Sequence, residues 1–282
     1  MVMPINLEFV KEVGTFRWLR RTFVRQFSKR ILGKDNTLVL PTGLRMRLPT
    51  TSKFASEVFI TGSKVDWGSE ALFANQLAAS GVVLDVGANI GYYSLYVLPR
   101  TSAVYAFEPD PRALDVLRFN LAPHANAHIQ GVAVGKYIGK SVFILESNCE
   151  VSHLAGTSNQ IVGQRCEVDV TTIDQFVSDK DLHITGIKID VEGADLDVIE
   201  GAVKTLASQA PLVLTETAPE ERLFETIRPL GYKVFAFIKP LNTSKFQFQE
   251  IVRESNFQTK MLFLVPTRLQ STFENLKQSK PH

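Results

Sequence analysis

The chain alternates short apolar runs with segments in which apolar residues recur every three or four positions. Runs of strand length occur at 82–86, 103–107, 128–132, 141–145, 165–170, 186–190, 212–216, 233–238 and 261–265. Helical spacing follows several of these runs, for example at 114–121 and 198–206. This alternation predicts an α/β fold in which a mostly parallel sheet carries helices on both faces.

One pair of runs departs from the alternation. No convincing helix separates 141–145 from 165–170, so an antiparallel excursion is predicted there instead of another crossover. The main domain is expected over 51–268, after an extension over 1–50. The last residues, 269–282, show little sign of packing on the domain and are predicted to form a flexible tail.

The extension has a pattern of its own. Apolar residues at helical spacing run through 5–32, namely Ile5, Phe9, Val13, Phe16, Leu19, Phe23, Phe27 and Ile31, with Arg and Lys on the other face. This predicts an amphipathic helix that Gly14 interrupts. Packing on the main domain or on a second subunit is the favoured interpretation, and attachment to a membrane surface is the alternative. A hairpin is predicted over 37–48 and mostly helical structure over 52–80.

Composition indicates a folded chain with a large core. The chain has 282 residues, of which 45% are hydrophobic and 21% charged. No apolar run reaches the roughly 18 residues that span a bilayer, and the first residues lack the order of a signal peptide, so a cytoplasmic protein is expected. The two cysteines, Cys149 and Cys166, are too few for a disulfide framework and lack metal-ligand spacing.

Positive charge is concentrated at the start of the chain. Residues 1–34 contain eight Lys and Arg residues but only Glu8 and Glu12 as acids, whereas acids outnumber bases in the remainder. Such a segment could attract anionic lipid, an acidic substrate or nucleic acid.

The most informative stretch is VVLDVGANIG at 82–91. An apolar run that contains Asp85 is followed by Gly87 and Gly91, a pattern typical of a buried parallel strand that turns tightly into a helix. Gly87 can adopt a positive φ or admit a ligand close to the backbone, and Gly91 lets the next helix lie against the strand. The helix is expected to begin near Asn89, where unpaired N–H groups suit a polar or anionic ligand.

Acidic residues follow two other predicted strands. Glu108 ends the strand after the glycine stretch, roughly 20 residues on, where an acid can accept hydrogen bonds from both hydroxyls of a ribose. Asp190 and Glu192 directly follow the apolar run IKI. Because the carboxyl ends of parallel strands lie at one edge, these acids are expected near Asp85. The sequence therefore predicts a nucleoside site with a second polar cluster on the same edge.

Four segments together resemble the FkbM-type S-adenosylmethionine-dependent methyltransferases, namely VLDVGANIGYYS, VYAFEPDP, LRFNL and IKIDVEGADLDVIEGA. The resemblance covers about residues 55–235. It implies a class I Rossmann-like fold and S-adenosylmethionine as the cofactor. It also implies contacts of Asp85, Gly87, Ala88, Asn89 and Gly91 with the methionine part, of Glu108 with the ribose, and of Pro109 and Ala133 with the adenine side. Tyr92 and Asp190, which ends its strand next to the expected methyl position, complete the predicted cofactor-binding residues.

Methyl transfer from a sulfonium needs few protein groups. The methyl group is already activated, so the protein must hold the acceptor in line with the S–CH3 bond and, for a hydroxyl, remove a proton. Asp190 is the first candidate for this centre, with Glu192, Glu216 and His153 as alternatives. No metal is predicted, although Asp190 and Glu216 could instead hold a divalent ion.

The resemblance implies O-methylation of a hydroxyl on a sugar, glycolipid or polyketide-like metabolite. The alternatives are methylation of nucleic acid or protein, and a scaffold that binds the cofactor without catalysis. A nicotinamide dehydrogenase is disfavoured because its fingerprint is Gly-x-Gly-x-x-Gly, whereas this chain has Gly-x-x-x-Gly. The expected partner is a small-molecule or glycoconjugate acceptor and not nucleic acid; membrane contact through residues 1–34 and a homo-oligomer are both left open.

Overall fold

The computed structural model describes residues 10, 13–145, 153–154, 164–240, 246–253 and 257–278. In chain order, its strands are β1 (Asn36–Val39), β2 (Arg45–Leu48), β3 (Val82–Val86), β4 (Ala103–Phe107), β5 (Ala127–Gln130), β6 (Ala133–Val134), β7 (Gly139–Leu145), β8 (His153–Leu154), β9 (Gln164–Thr171), β10 (Ile184–Ile189), β11 (Leu212–Thr215), β12 (Lys233–Pro240), β13 (Gln247–Ile251) and β14 (Phe257–Val265). The α-helices are α1 (Thr15–Phe27), α2 (Lys53–Thr61), α3 (Ser69–Asn75), α4 (Tyr92–Val97), α5 (Pro111–Leu121), α6 (Ile173–Lys180), α7 (Asp195–Glu200), α8 (Val203–Gln209), α9 (Glu221–Ile227) and α10 (Thr267–Gln278). A π-helical turn, Ser28–Leu32, extends α1.

The largest sheet has eight strands in the order β13-β12-β14-β11-β10-β3-β4-β5. The strands from β11 to β5 are parallel, whereas β14 runs antiparallel to both of its neighbours and β13 runs antiparallel to β12. Side chains alternate between two apolar cores, so that Leu212 and Leu214 join the core with α3, α4, α5 and α10, while Val213 joins the core with α6, α7, α8 and α9. The predicted mostly parallel sheet with helices on both faces is confirmed.

A smaller sheet has the order β6-β9-β7-β8. Strand β7 pairs with β9 in antiparallel register, from Gly139 opposite Val170 to Leu145 opposite Gln164. The antiparallel excursion predicted between 141–145 and 165–170 is therefore present. Cys166 is a partly buried free cysteine in β9, whereas Cys149 lies outside the described residues.

The extension consists of α1, its π-helical turn and the hairpin of β1 with β2. Helix α1 begins after Gly14, which has a φ of 86°, so the interruption predicted at this glycine is present. Helix α1 contacts the main domain through its polar face and not through the apolar stripe. The buried residue of α1 is Arg25, and the large apolar side chains of the stripe are exposed.

The segment predicted as a flexible tail is also different in the structure. Residues 267–278 form α10, and the fully buried Phe273 of this helix packs against the rings of Phe235, Phe248 and Phe263. The aromatic partners come from β12, β13 and β14, so α10 covers the antiparallel end of the large sheet. Within the described residues, no helix combines the length and the apolar character needed to cross a bilayer.

Candidate active site

The glycine stretch connects β3 to α4 through a turn with little room for side chains. Gly87 has a φ of 74°, and a Cβ atom placed on it would collide with the backbone carbonyl oxygen of Asp190. Gly91 has a φ of 88°, and a Cβ atom there would lie 2.9 Å from the Leu117 side chain of α5. The two glycines therefore allow two close approaches, one to the end of β10 and one to α5.

Glu108 follows β4 and is held by the backbone of two loops. Its two carboxylate oxygens accept hydrogen bonds from the N–H groups of Asn89, at 2.8 Å, and Asp110, at 2.9 Å. Burial raises the pKa of Glu108 to about 7, although both N–H groups oppose this shift. Each carboxylate oxygen has a second lone pair, so Glu108 can still accept hydrogen bonds from a ligand.

Lys188 connects the ends of two neighbouring parallel strands. It stands opposite Asp85 in the register of β3 with β10, so both side chains lie on the same face of the sheet. The Lys188 ammonium donates to the Gly87 carbonyl oxygen at 2.8 Å and lies 3.2 Å from Asp190 Oδ2 and 3.6 Å from Asp85 Oδ1. Burial lowers the pKa of Lys188, but the carboxylates of Asp190 and Asp85 outweigh this effect and raise it. Lys188 is therefore a permanently charged link between the glycine turn and Asp190.

Asp190 and Glu216 are neighbouring acids at the carboxyl edge. Asp190 follows β10, Glu216 follows β11, and the two side chains share a hydrogen bond. Burial would raise the pKa of Asp190, but the Lys188 ammonium and this hydrogen bond lower it, so Asp190 stays ionised. The surroundings of the Glu216 carboxyl group and the charge of Asp190 raise the pKa of Glu216 to about 9, although the Glu216 residue is exposed. The pair therefore holds one proton near neutral pH.

A second acidic group comes from the loop between α2 and α3, which carries Asp66, and from the first turn of α3, which carries Glu70. Asp66 Oδ2 accepts a hydrogen bond from the Tyr93 hydroxyl at 2.7 Å, and Glu70 Oε1 accepts one from the Tyr92 hydroxyl at 2.9 Å. Burial and the charge of Glu70 raise the pKa of Asp66 to about 7, and Asp190 contributes to the same shift. The Lys188 ammonium lies 5.3 Å from the centre of the Tyr93 ring. This loop therefore brings a titratable carboxyl group to the edge that carries Asp190.

Two buried oxygen atoms in the glycine region have no hydrogen-bond donor within the part of the chain that the structure describes. They are Asp85 Oδ1 and Asn89 Oδ1. Asp85 Oδ2, by contrast, accepts a hydrogen bond from the Ser94 hydroxyl at 2.6 Å. Because buried acceptors are normally paired, these two atoms are candidates to receive donors from a polar ligand.

The other predicted site residues differ in their exposure. Tyr92 is fully buried, Ala88 and Ala133 are buried, Pro109 is partly exposed next to Glu108, and Glu192 is exposed beyond Asp190. The side chain of His153 lies outside the described residues. Across the described ranges, no three His, Cys, Asp or Glu side chains come together in a way that could hold a metal ion.

Comparison with known protein families shows which family shares this sequence. The profile described as the methyltransferase FkbM domain matches residues 85–253, which is more than half of the chain. The chain belongs to the FkbM methyltransferase family. With the sheet described above, this membership confirms the class I Rossmann-like fold that the resemblance implied.

Two relatives and one solved structure illustrate the similarity. The chain is 29% identical over 167 residues to the 2-O-methyltransferase NoeI of Sinorhizobium fredii, a match that covers 53% of this chain and 68% of that protein. It is 27% identical over 140 residues to the hexuronic acid methyltransferase AglP of Haloferax volcanii, covering 49% of this chain and 56% of AglP. A structure of methyltransferase FkbM from Methylobacillus flagellatus is 14% identical with a TM-score of 0.42, covering 91% of this chain and 62% of that one.

The FkbM match divides the site into two parts. It begins at Asp85 and therefore includes the glycine turn, Lys188 and Asp190, but it leaves out Asp66 on the preceding loop. Sequence reasoning missed both Lys188 and Asp66. Lys188 lies inside the recognised IKIDVEGA motif, but its place opposite Asp85 is visible only in the strand register. For Asp66 the sequence carried no signal.

Proposed function

We propose that this FkbM-family protein is an S-adenosylmethionine-dependent O-methyltransferase that acts on a hydroxyl group of a sugar or glycoconjugate. The observation that carries the proposal is the position of the Asp190 carboxylate, which lies 3.2 Å from the Lys188 ammonium, while the same ammonium donates to the Gly87 carbonyl oxygen of the glycine turn. A carboxylate in that position can accept the hydrogen bond of an incoming hydroxyl next to the cofactor region.

The residues of the glycine region fit the proposed cofactor. Glu108 retains lone pairs for the two ribose hydroxyls. Asn89 Oδ1, and Asp85 Oδ1 beside the Lys188 ammonium, accept no hydrogen bond within the described residues and can receive donors from the methionine part. Gly87 and Gly91 complete the same turn, and Ala88 lies between them. When bound, S-adenosylmethionine supplies an activated methyl group. Pro109 and Ala133 are assigned to the adenine side on the family resemblance alone.

The protein's own part in the reaction is to orient the acceptor and to take its proton. Asp190 accepts the hydrogen bond from the acceptor hydroxyl, and Glu216, which holds the shared proton, keeps the pair from carrying two negative charges. Asp66 is a second candidate base because its pKa of about 7 matches the range in which a general base works best.

The sugar acceptor is supported by the relatives. NoeI is named as a 2-O-methyltransferase and AglP as a hexuronic acid methyltransferase. Methyl transfer to oxygen and a sugar acid acceptor therefore each occur among proteins similar to this one. Acidic side chains such as Asp190 and Asp66 are common partners of sugar hydroxyls because they accept charge-assisted hydrogen bonds.

The test is an acceptor screen with isotope-labelled S-adenosylmethionine. The full chain is incubated with a panel of hexoses, hexuronic acids and glycolipid headgroups, and with RNA and peptide pools, and products are detected by mass spectrometry. We expect a sugar that gains one labelled methyl ether, absent with Asp190→Asn. A labelled RNA or peptide without a labelled sugar would overturn the acceptor class, and binding of NAD in place of S-adenosylhomocysteine in calorimetry would overturn the cofactor.

A further inference from the structure

Helix α1 presents a continuous apolar stripe to solvent. Phe16, Leu19, Phe23 and Phe27 recur every three or four residues, and their exposed fractions are 79%, 54%, 70% and 43%. The stripe continues into the π-helical turn at Ile31, which is 69% exposed. Single exposed apolar residues are common on protein surfaces, but a contiguous row of large ones marks an interaction site.

The opposite face of α1 fixes this orientation. Arg25 is fully buried and donates hydrogen bonds to Ser56 Oγ at 3.2 Å, Asn36 Oδ1 at 2.9 Å and the Leu48 carbonyl oxygen at 2.9 Å. One turn earlier, Arg21 donates to the Ile60 carbonyl oxygen at 3.3 Å. Because these bonds attach the polar face of α1 to the domain, rotation of the helix to bury its stripe would leave a guanidinium and several acceptors unpaired.

The charges around the stripe restrict its partner. Residues 15–34 contain no Asp or Glu, and Arg17, Arg20, Lys29 and Lys34 are exposed. A second copy of the chain docked stripe to stripe would bring two basic helices together, which is unfavourable. An anionic lipid surface accommodates both features, because its acyl layer accepts the aromatic side chains and its headgroups attract the basic ones.

We propose that α1 and its π-helical turn lie in the plane of an anionic membrane surface and attach the protein to it. Phe16, Leu19, Phe23 and Phe27 enter the boundary between headgroups and acyl chains. Arg17, Arg20, Lys29 and Lys34 remain at the headgroup level, since long basic side chains can keep their charges in the aqueous layer. The attachment is independent of the proposed methyl transfer, because α1 lies outside the matched FkbM domain.

Vesicle flotation with the full chain tests this attachment. Vesicles of phosphatidylcholine alone and of phosphatidylcholine with phosphatidylserine are compared at low and high salt. We expect binding to the anionic vesicles that decreases at high salt, because salt screens the attraction between exposed charges. The double variant Phe16→Ser/Phe23→Ser is expected to reduce the partition coefficient by at least about tenfold, since two large apolar side chains no longer enter the membrane.

Two controls make the result decisive. Ile138→Ser changes a 62% exposed apolar residue outside the extension and is expected to leave vesicle binding unchanged. Light scattering without vesicles measures the oligomeric state. Absence of binding to anionic vesicles, or equal binding by the double variant, overturns the proposal. A dimer that the double variant converts to a monomer also overturns it, because a second copy is then the partner of the stripe.

Discussion

Lys188 is the residue on which the polar cluster depends. Its ammonium lies between Asp85 and Asp190, and both Lys188 and Asp85 are almost completely buried. Removing one member of a buried ionic group leaves the others as uncompensated charges. We therefore expect Lys188→Met to lower the free energy of unfolding by about 3 to 5 kcal/mol, as measured by chemical denaturation.

Lys140→Met is the matched control for this substitution. Lys140 also pairs with an acid, Glu167, but both side chains are largely exposed. Exposed pairs contribute little because water already solvates both charges. If Lys188→Met and Lys140→Met have the same effect on stability, the buried cluster does not stabilise the protein in the way described.

The two candidate bases differ in how turnover should depend on pH. Asp190 has a lowered pKa and is ionised throughout the neutral range, whereas the pKa of Asp66 is about 7. With Asp190 as the base, kcat at saturating cofactor is expected to be flat between pH 6 and 8. Asp190→Asn is then expected to reduce kcat by about a hundredfold or more while the affinity for S-adenosylhomocysteine is retained.

A different profile would assign the base to Asp66. In that case kcat would rise as pH increases to about 7 and then level off, because only the ionised carboxylate accepts a proton. Asp66→Asn would abolish the rise, and Tyr93→Phe would move it to higher pH, since the Tyr93 hydroxyl stabilises the charged form. Loss of cofactor affinity equal to the loss of kcat in Asp190→Asn would make Asp190 a cofactor ligand instead.

The sequence predicted part of this site because some of its residues have local signatures. Asp85, Gly87 and Glu108 occur at spacings that a strand, a tight turn and a second strand impose. The role of Lys188 can be recognised only from the strand register that places it opposite Asp85. The two strands are about a hundred residues apart in the chain, so their register leaves no local pattern in the sequence. Asp66 was missed for the same reason, since the side chain that fixes it, Tyr93, lies on another element.

At the scale of elements, the turn between β3 and α4 determines where β10 can end. Gly87→Ala would place a methyl group against the Asp190 carbonyl oxygen and would also strain a backbone with a φ of 74°. We expect the substitution to lower the free energy of unfolding by more than the roughly 1 to 3 kcal/mol of backbone strain alone. Denaturation measures the stability, and calorimetry with S-adenosylhomocysteine measures the accompanying loss of affinity.

Gly43→Ala separates strain from collision. Gly43 has a φ of 85°, but a Cβ atom on it would meet nothing within 4 Å. Its substitution therefore imposes backbone strain without a steric contact. Equal destabilisation by Gly43→Ala and Gly87→Ala would show that the close approach of Asp190 has no energetic consequence.

Two elements show where patterns of hydrophobicity fall short. The apolar stripe of α1 was expected to pack on the main domain or on a second subunit, yet in this chain it is exposed, and the opposite face packs on the domain through Arg25. Residues 269–282 were predicted to form a flexible tail, yet α10 occupies most of this segment and Phe273 anchors it in a cluster of aromatic rings. In each case a single buried residue decided the packing, and its partners come from distant parts of the chain.

At the scale of the whole molecule, the parallel sheet gathers acids from distant segments at one edge. Glu108, Asp190 and Glu216 each follow a different parallel strand, and the parallel order brings these strand ends to one edge, which the loop with Asp66 also reaches. Three of these acids have raised pKa values, about 7 for Asp66 and Glu108 and about 9 for Glu216. The stability of the ligand-free protein should therefore depend on pH.

The direction of this dependence follows from proton binding. An acid with a raised pKa in the folded state binds more protons there than in the unfolded chain, so its contribution to stability is present below the unfolded pKa and is lost as pH rises through the folded pKa. We expect the free energy of unfolding without cofactor to fall between about pH 5 and pH 8. The raised pKa of the buried Glu108 alone accounts for a decrease in the free energy of unfolding on the order of 3 kcal/mol. Asp190, whose pKa is lowered, has the opposite effect, but only where acid protonates it below about pH 4.

Glu108→Gln tests this origin because its amide does not titrate. Chemical denaturation at intervals between pH 5 and 8 is expected to show a shallower decrease for Glu108→Gln than for the unchanged protein. Glu225→Gln, which removes an exposed acid on α9, should leave the slope as it was. A stability that stays constant or rises over this interval in the unchanged protein would contradict the raised pKa values of the acids at this edge. A cofactor that places donors on Glu108 should flatten the same slope, because hydrogen bonds to the ionised carboxylate lower its pKa.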